Sequence, residues 1–180
     1  MSKDTYLFEL SPLIRGTLIS VYLALVLPLP VLAPESIRSW LSAAVPLGLI
    51  AVLAMLSEQV SVSPAGISVG HPAWCSWLLR RGWSLQWSEM KAIVPVGTSQ
   101  GGKVYYITTH GQGHRLLPQR LENFDQFLKI VEKQSSLKTS GIGRLTPPWT
   151  YQLLAGLAVL MLVGEGAVAF AINQGMIISP

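Results

Sequence analysis

Three long apolar stretches dominate this sequence, and they constrain the fold more than any motif does. They cover residues 16–33, 40–56 and 151–172. A helix needs about 20 apolar residues, rising about 1.5 Å each, to cross a hydrocarbon layer about 30 Å thick. The three stretches therefore predict an integral membrane protein with three transmembrane helices. Half of the residues are hydrophobic and only 12% are charged, a balance that lipid contact explains better than one small soluble core does.

Basic residues concentrate in the polar segment between the second and third stretches. Residues 57–149 hold 10 of the 13 Lys and Arg but only five of the nine Asp and Glu, a balance of +5. Lysine and arginine near span ends resist translocation. We therefore expect this segment on the cytoplasmic side of a bacterial inner membrane or a thylakoid, with the 34–39 loop across the membrane. A signal peptide ending near Ala33 is the competing interpretation of the first stretch, and Pro34 directly after it disfavours cleavage.

The apolar stretches also set the predicted domain boundaries. Pro28 and Pro30 predict a kink or an early end of the first helix. The boundaries follow as an N-terminal segment and transmembrane hairpin at 1–57, a central domain at 58–134, a linker at 135–149, and a third transmembrane helix with a tail at 150–180.

The central domain alternates apolar and polar residues, which is typical of half-buried strands. Val60 and Val62 alternate with serines, a turn follows at 64–66, and Ile67 and Val69 alternate again, which predicts a β-hairpin. The same pattern predicts further strands at 83–87, 92–96, 103–109 and 115–117.

The last element of the central domain has a helical period. Apolar residues recur at three- and four-residue spacing, and Asn123 stands where its side-chain oxygen would cap the first turn. The apolar positions are Phe124, Phe127, Leu128 and Val131. The expected fold class is thus α+β: three transmembrane helices and a small antiparallel β domain closed by one amphipathic helix.

This order of elements resembles the bacterial PH-like membrane proteins. The resemblance covers about residues 15–133 and depends on VSVSPAGISV at 60–69, LQWSEMKAIV at 85–94 and YYITTHGQGHRLLPQRLENF at 105–124. These stretches are similar to that family's strand after the membrane, its aromatic-polar-acidic step, and its strand-turn-strand leading into the helix. The resemblance implies a PH-like domain.

A second resemblance is to the two-helix photosystem I assembly factor of cyanobacteria and chloroplasts. The turn at 111–113, the following Leu-Pro, and Glu122-Asn123-Phe124 are similar to its C-terminal region, while the third span sets this chain apart. The resemblance implies non-catalytic help in building or tuning a membrane complex, and it carries over no catalytic residue and no cofactor.

Three short motifs allow a catalytic or binding interpretation, and each has a structural alternative that we favour. Gly66–Gly70 spells the G-x-S-x-G of hydrolases, but it lies within a strand pattern with no helix after it. Residues 97–103 fit G-x-x-x-x-G-K, but Val104 replaces the hydroxyl that would hold magnesium. His110 and His114 flank a glycine turn without further ligands beside them, so we predict no metal site. No enzyme activity is expected.

An aromatic and basic cluster supplies the candidate docking residues. Trp74, Trp77, Arg80 and Arg81 stand close together, followed by Trp83 and Trp87. Tryptophan favours the membrane-water boundary and arginine pairs with lipid phosphates or carboxylates, so this cluster either docks on a partner or fills the core with its tryptophans. Three further basic residues complete the predicted binding set: Lys103, Arg115 and Arg120. Nucleic acid is not an expected partner.

The third span carries one ionisable residue, Glu165. Such a group inside a membrane costs a few kcal/mol unless it is paired or hydrated, so it is a candidate contact to a partner. Gly156 and Gly164 lie nearby and would let another helix approach closely. The alternative is a short span that ends near Glu165.

These features favour a non-catalytic scaffold, assembly factor or accessory subunit of a larger membrane complex, with a photosynthetic complex among the candidates. The runner-up is a PH-like module that binds anionic membrane lipids. A transporter component is the least favoured class, because three spans and one carboxylate provide no evident translocation path.

Overall fold

The computed structural model describes residues 5–79, 82–99, 101–111 and 113–174, which belong to two compact units. The first unit, here the β unit, comprises Met1–Pro12 and Ala54–Pro147. The second, the helical unit, comprises Leu13–Leu53 and Pro148–Pro180. The protein is mixed α+β with antiparallel sheets, as the sequence predicts.

Within the described residues, the β unit has seven antiparallel strands in two sheets. The first sheet has the order β1-β2-β3-β4, with β1 at Tyr6–Glu9, β2 at Gln59–Val62, β3 at Gly66–Gly70 and β4 at Trp83–Gln86. The second has the order β5-β6-β7, with β5 at Met90–Gly97, β6 at Lys103–Thr109 and β7 at His114–Leu116. A 3-10 turn at Trp87–Glu89 joins the two sheets. The hairpin and the later strands lie within one to three residues of their predicted positions.

An amphipathic helix closes the core between the sheets. Helix α4, Phe124–Ser135, buries the four apolar residues that its period predicts. The Phe127 ring meets Phe8 edge to face at 5.6 Å and stacks on Phe124 at 6.2 Å. Asn123 is the residue before the helix, as predicted, but its side chain makes no capping hydrogen bond. Its carbonyl instead accepts the Phe127 N–H at 3.0 Å.

The N-terminal segment is part of the β unit, which the sequence prediction missed. Strand β1 pairs with β2, although about 50 residues that include α1, α2 and α3 lie between the two strands in sequence. The pairing places Phe8 opposite Val60. Phe8 is buried in the core while its neighbour Leu7 is exposed. The boundary predicted at residue 57 therefore does not separate these elements, because the first strand folds with the domain that follows the hairpin.

The predicted linker at 135–149 is in fact packed against the β unit as far as Pro147. Leu137 and Ile142 contact the core. The Gly141 carbonyl accepts the Tyr105 hydroxyl at 3.0 Å, and the Thr139 hydroxyl donates to the Glu132 carboxylate at 2.6 Å. A flexible linker would leave these groups in water, so this segment is a structural part of the domain.

Among the residues that the structure describes, three helices are long and apolar enough to cross a membrane. They cover Pro12–Leu32, Glu35–Met55 and Pro148–Ile172. The first is interrupted: α1 (Pro12–Val26) ends before Pro28, and the short α2 (Leu29–Leu32) follows, which confirms the effect predicted for the two prolines. The other two are α3 (Glu35–Met55) and α5 (Pro148–Asn173). The predicted 34–39 loop is wrong, since α3 already begins at Glu35.

Two side-chain hydrogen bonds connect α1 to the other helices of the helical unit. The Tyr22 hydroxyl donates to the Val45 carbonyl on α3 at 2.6 Å. The buried Thr17 hydroxyl donates to the Tyr151 carbonyl on α5 at 3.2 Å. Gly48 lies directly against the Tyr22 ring, because a Cβ at this position would collide with the Tyr22 hydroxyl. A small residue here lets α1 and α3 approach.

Candidate interaction surfaces

The loop between β3 and β4 presents two tryptophans on its outside. Its described part, Pro72–Leu79, is here called the Trp loop. Trp77 is 80% exposed and Trp74 is 53% exposed, whereas Cys75 between them is buried. The backbone forms helical turns, since the Pro72 carbonyl accepts the N–H groups of Cys75 and Ser76 at 3.1 and 3.0 Å.

The other two tryptophans of the predicted cluster lie at the core. The Trp87 indole is 9% exposed and donates to the Ser63 carbonyl at 2.9 Å. Trp83 is half-buried and packs against the same core. The core interpretation therefore holds for Trp83 and Trp87, and the docking interpretation stays a prediction for the exposed Trp74 and Trp77. Arg80 and Arg81 lie outside the described residues.

One end of the β unit holds residues that precede α1 and α5, or follow α3, along the chain. Strand β1 ends at Glu9, three residues before α1. Strand β2 begins at Gln59, which pairs with Glu9 of β1 and with Gly70 of β3. Gly102 lies beside Leu145, three residues before α5. We call this the helix-linked end. The opposite end carries the β2–β3 turn and the β6–β7 turn.

Two of the predicted basic residues lie at the helix-linked end. Arg120 is exposed, and its carbonyl accepts the Ser11 N–H at 2.9 Å, one residue before α1. Lys103 is exposed at the start of β6, and its carbonyl accepts the Gln119 amide, which also donates to the Gly143 carbonyl at 2.8 Å. The predicted set is thus not one patch, because Arg115 lies on the edge strand β7.

The outer face of the β5-β6-β7 sheet is apolar although it is open. Val94, Tyr106 and Leu116 form one cross-strand row, and Val96 pairs with Val104 in the next. Val94, Val96 and Leu116 are 42%, 44% and 50% exposed. Antiparallel sheets usually alternate apolar residues on the core face with polar residues on the outer face, so these exposed apolar residues depart from the usual pattern.

The three residues of α5 that the sequence groups as one partner contact differ in their surroundings. Glu165 is half-buried and stands seven residues after the buried Ala158, so both face the same side of the helix. Gly156 and Gly164 have open space around them, since a Cβ at either would meet nothing within 4 Å. The helix also continues to Asn173, eight residues past Glu165.

The motif at Gly66–Gly70 coincides with strand β3. Ser68 is exposed in the middle of this strand, between Ser61 of β2 and Ser84 of β4. These three serines line a shallow concavity of about 360 Å³. A hydrolase nucleophile needs a strained turn between a strand and a helix, and this geometry is different. Gly66 has a packing reason, because a Cβ there would collide with the Leu85 carbonyl.

The remaining two motifs are hairpin turns. The segment from Gly97 to Lys103 joins β5 to β6, and the Thr98 N–H donates to the Gly102 carbonyl at 2.8 Å. His110 and His114 flank the next turn and are both exposed. In the part of the chain that the structure describes, no three His, Cys, Asp or Glu side chains come together as metal ligands.

Comparison with known proteins finds a similar cyanobacterial chain. Over 153 residues the sequence is 38% identical to the uncharacterized protein slr0269 of Synechocystis sp. The aligned region covers 82% of this chain and 77% of that protein. No family model matches the chain. No solved structure matches it.

Proposed function

This chain belongs to the same family as the Synechocystis protein slr0269, and we propose that it is a non-catalytic, membrane-anchored scaffold or assembly factor. In this role the three apolar helices cross the membrane, and the β unit docks onto a larger membrane protein complex. The proposed location is a thylakoid or a bacterial inner membrane, as the two resemblances in the sequence imply. The partner is then a photosynthetic or other resident complex of that membrane.

The outer face of the β5-β6-β7 sheet is the observation that carries this proposal. Val94, Val96 and Leu116 are each more than two-fifths exposed and lie around Tyr106 and Val104. An aromatic ring at the centre of an apolar patch is typical of protein interfaces, where it buries a large area with little loss of conformational entropy. The edge strand β5 carries Pro95, which removes one donor for pairing with a foreign strand. Face-to-face docking is therefore favoured over strand addition.

The architecture of the β unit supports the PH-like interpretation. Six antiparallel strands follow the first two apolar helices and precede one amphipathic helix, which is the order that the resemblance implies, while β1 lies before those helices. Net positive charge in the segment 57–149 supports the cytoplasmic side for this unit. External protease on intact cells tests the orientation: we expect Lys103 to be cut only after the membrane is permeabilised, and cleavage in intact cells would reverse the topology.

Affinity purification of the tagged full chain in mild detergent tests the docking face. We expect a stoichiometric membrane complex to co-purify with the wild-type chain. With the double variant Val94→Glu and Leu116→Glu, we expect this complex to be absent from the purified sample. Ser61→Glu combined with Ser84→Glu is the matched control, because these residues flank Ser68 on the outer face of the other sheet as Val94 and Leu116 flank Tyr106. Both variants are first checked for unchanged thermal unfolding.

The purification also gives two outcomes that oppose the proposal. A wild-type chain that purifies alone from native membranes would reject the scaffold role. Equal recovery of the complex with both double variants would move the interface away from this sheet.

Helix α5 provides a second, independent arm of the same experiment. Gly164→Leu adds bulk on the open side of α5, and Glu165→Gln removes the charge on its packed side. If a partner helix approaches the glycines, the first variant lowers recovery of the complex several-fold and the second does not. Normal recovery with both variants would exclude α5 from the partner contact.

A further inference from the structure

We infer that the Trp loop is an interfacial anchor, which inserts Trp74, Trp77 and Leu78 into the headgroup layer of the membrane that the helices cross. The inference deepens the proposed function and depends on its membrane anchoring. It assigns the exposed tryptophans to lipid, while the apolar sheet face remains for the protein partner.

The loop has a defined conformation that turns these side chains outward. Its helical turns continue from Cys75, whose carbonyl accepts the N–H groups of Leu78 and Leu79 at 3.1 and 3.2 Å. Residues three and four apart share a helical face, so Trp74, Trp77 and Leu78 lie together. Cys75 points the other way and is 1% exposed. The loop is thus a short amphipathic turn with its apolar side open.

Further bonds hold this turn in place. The Trp77 indole N–H donates to the Trp74 carbonyl at 2.9 Å, and the Cys75 thiol donates to the Pro72 carbonyl at 3.6 Å. Gly82 returns the chain so close to β3 that a Cβ would collide with the Val69 carbonyl. Two large aromatic side chains held outward in this way are exposed at a cost that contact with an apolar phase would remove.

The position of the loop identifies lipid as that phase. The loop leaves β3 at Gly70, which is in register with Gln59, and Gln59 is in register with Glu9. Two strand spacings are about 10 Å. Glu9 precedes α1 by three residues, which span at most about 11 Å. Gly70 therefore lies within about 20 Å of the first residue of a membrane-length helix.

Tryptophan has the chemistry that this position requires. Its ring is apolar and its N–H is polar, so it is enriched where the hydrocarbon meets the headgroups. A chain that enters a bilayer at Pro12 brings the bilayer surface within reach of Gly70, where the loop leaves the sheet. The occupant that we infer is therefore the lipid interface.

Quenching of tryptophan fluorescence by brominated lipids tests the anchor on the full chain. The chain is reconstituted into nanodiscs of ordinary or acyl-brominated phospholipid, in which no partner protein is present. Emission from individual indoles is obtained as the difference between wild type and Trp74→Phe, Trp77→Phe, Trp40→Phe or Trp87→Phe. Trp40 is 79% exposed on α3 and reports insertion of the helices, and Trp87 reports an indole enclosed in the core.

We expect brominated lipid to reduce the emission of Trp77 about as strongly as that of Trp40, with a smaller loss for Trp74. If brominated lipid reduces the emission of Trp40 but not that of Trp77 or Trp74, the anchor is overturned and the membrane function still stands. If it reduces the emission of neither Trp40 nor the loop tryptophans, both the anchor and the membrane anchoring are overturned. Trp40, Trp74 and Trp77 are exposed, so their phenylalanine variants change little of the packing. Trp87→Phe removes a core indole that donates to the Ser63 carbonyl, so an unchanged thermal unfolding must confirm that each difference spectrum compares one fold.

Discussion

The β unit and the helical unit are both rich in apolar residues, but the β unit buries many of them and the helical unit leaves most of them exposed. In the β unit, Val60, Ile107, Phe127 and Val131 have no exposed surface. In the helical unit, the apolar windows of the three long helices are only 17%, 6% and 6% buried. Apolar content therefore does not by itself create a core, because the period of the apolar residues decides whether they meet one another or face outward.

The difference follows from how each unit distributes its side chains. Strands β2 and β3 bury every second residue, and α4 buries one stripe, so the three elements close around a common interior. The long helices are apolar around their whole circumference, which is typical of helices surrounded by lipid or by other helices. The outer face of the β5-β6-β7 sheet resembles the long helices in one respect, because its apolar side chains are exposed.

The largest expected effect comes from removing the same side chain in each unit. Phe127→Ala deletes a fully buried ring between Phe8 and Phe124, and we expect it to lower the free energy of unfolding of the β unit by about 3–5 kcal/mol. Phe170→Ala removes a ring that is 60% exposed on α5 and should leave this unfolding unchanged. Denaturant unfolding of the full chain in detergent measures both, and equal losses would break the comparison.

A smaller effect is expected from two glycines of one strand. Gly66→Ala places a methyl group against the Leu85 carbonyl, which belongs to the sheet backbone and cannot easily move, so we expect a loss of about 1–3 kcal/mol. Gly70→Ala, at the other end of β3, meets nothing within 4 Å. Thermal unfolding compares the two variants. Equal stability would show that the glycines of this motif have no packing role.

The smallest effect tests whether the helical unit has any specific packing. Gly48→Ala displaces the Tyr22 hydroxyl and removes its bond to the Val45 carbonyl, for an expected loss of about 1 kcal/mol. Gly16→Ala meets nothing within 4 Å and should stabilise α1 by up to about 1 kcal/mol. Circular dichroism of the helices during heating in detergent would show opposite signs. Equal shifts would mean that α1 and α3 are held by lipid contact alone.

The elements of the β unit were predictable from the sequence where the signal is local. The hairpin, strand β6 and helix α4 have clear periods of two or 3.6 residues, and their positions match. Strand β1 has four residues, and its partner β2 lies about 50 residues further along, so no local pattern could reveal the pairing. The packed segment after α4 looked like a linker because Ser, Gly and Pro dominate it, while its hydrogen bonds come from distant side chains such as Tyr105 and Gln119.

The candidate surfaces show the same division. The sequence indicated the tryptophan cluster but not which members face outward, since Trp74 and Trp77 depend on the turn around Cys75, and Trp87 depends on a bond to Ser63. The apolar face of the β5-β6-β7 sheet was also missed. Its residues were recognised only as strand formers, and cross-strand register was needed to place Val94 beside Tyr106 and Leu116.

The sequence by itself determined the class of this protein: three helices of membrane length and a small antiparallel β domain closed by a helix. These properties follow from period, length and charge, which are readable along the chain. Only the tertiary structure decided that the strand Tyr6–Glu9 joins the first sheet, that Glu165 is half-buried while Gly156 and Gly164 face open space, and that two tryptophans lie in a loop at the helix-linked end. Those facts depend on register and on distant hydrogen bonds, which arise only when separated segments meet.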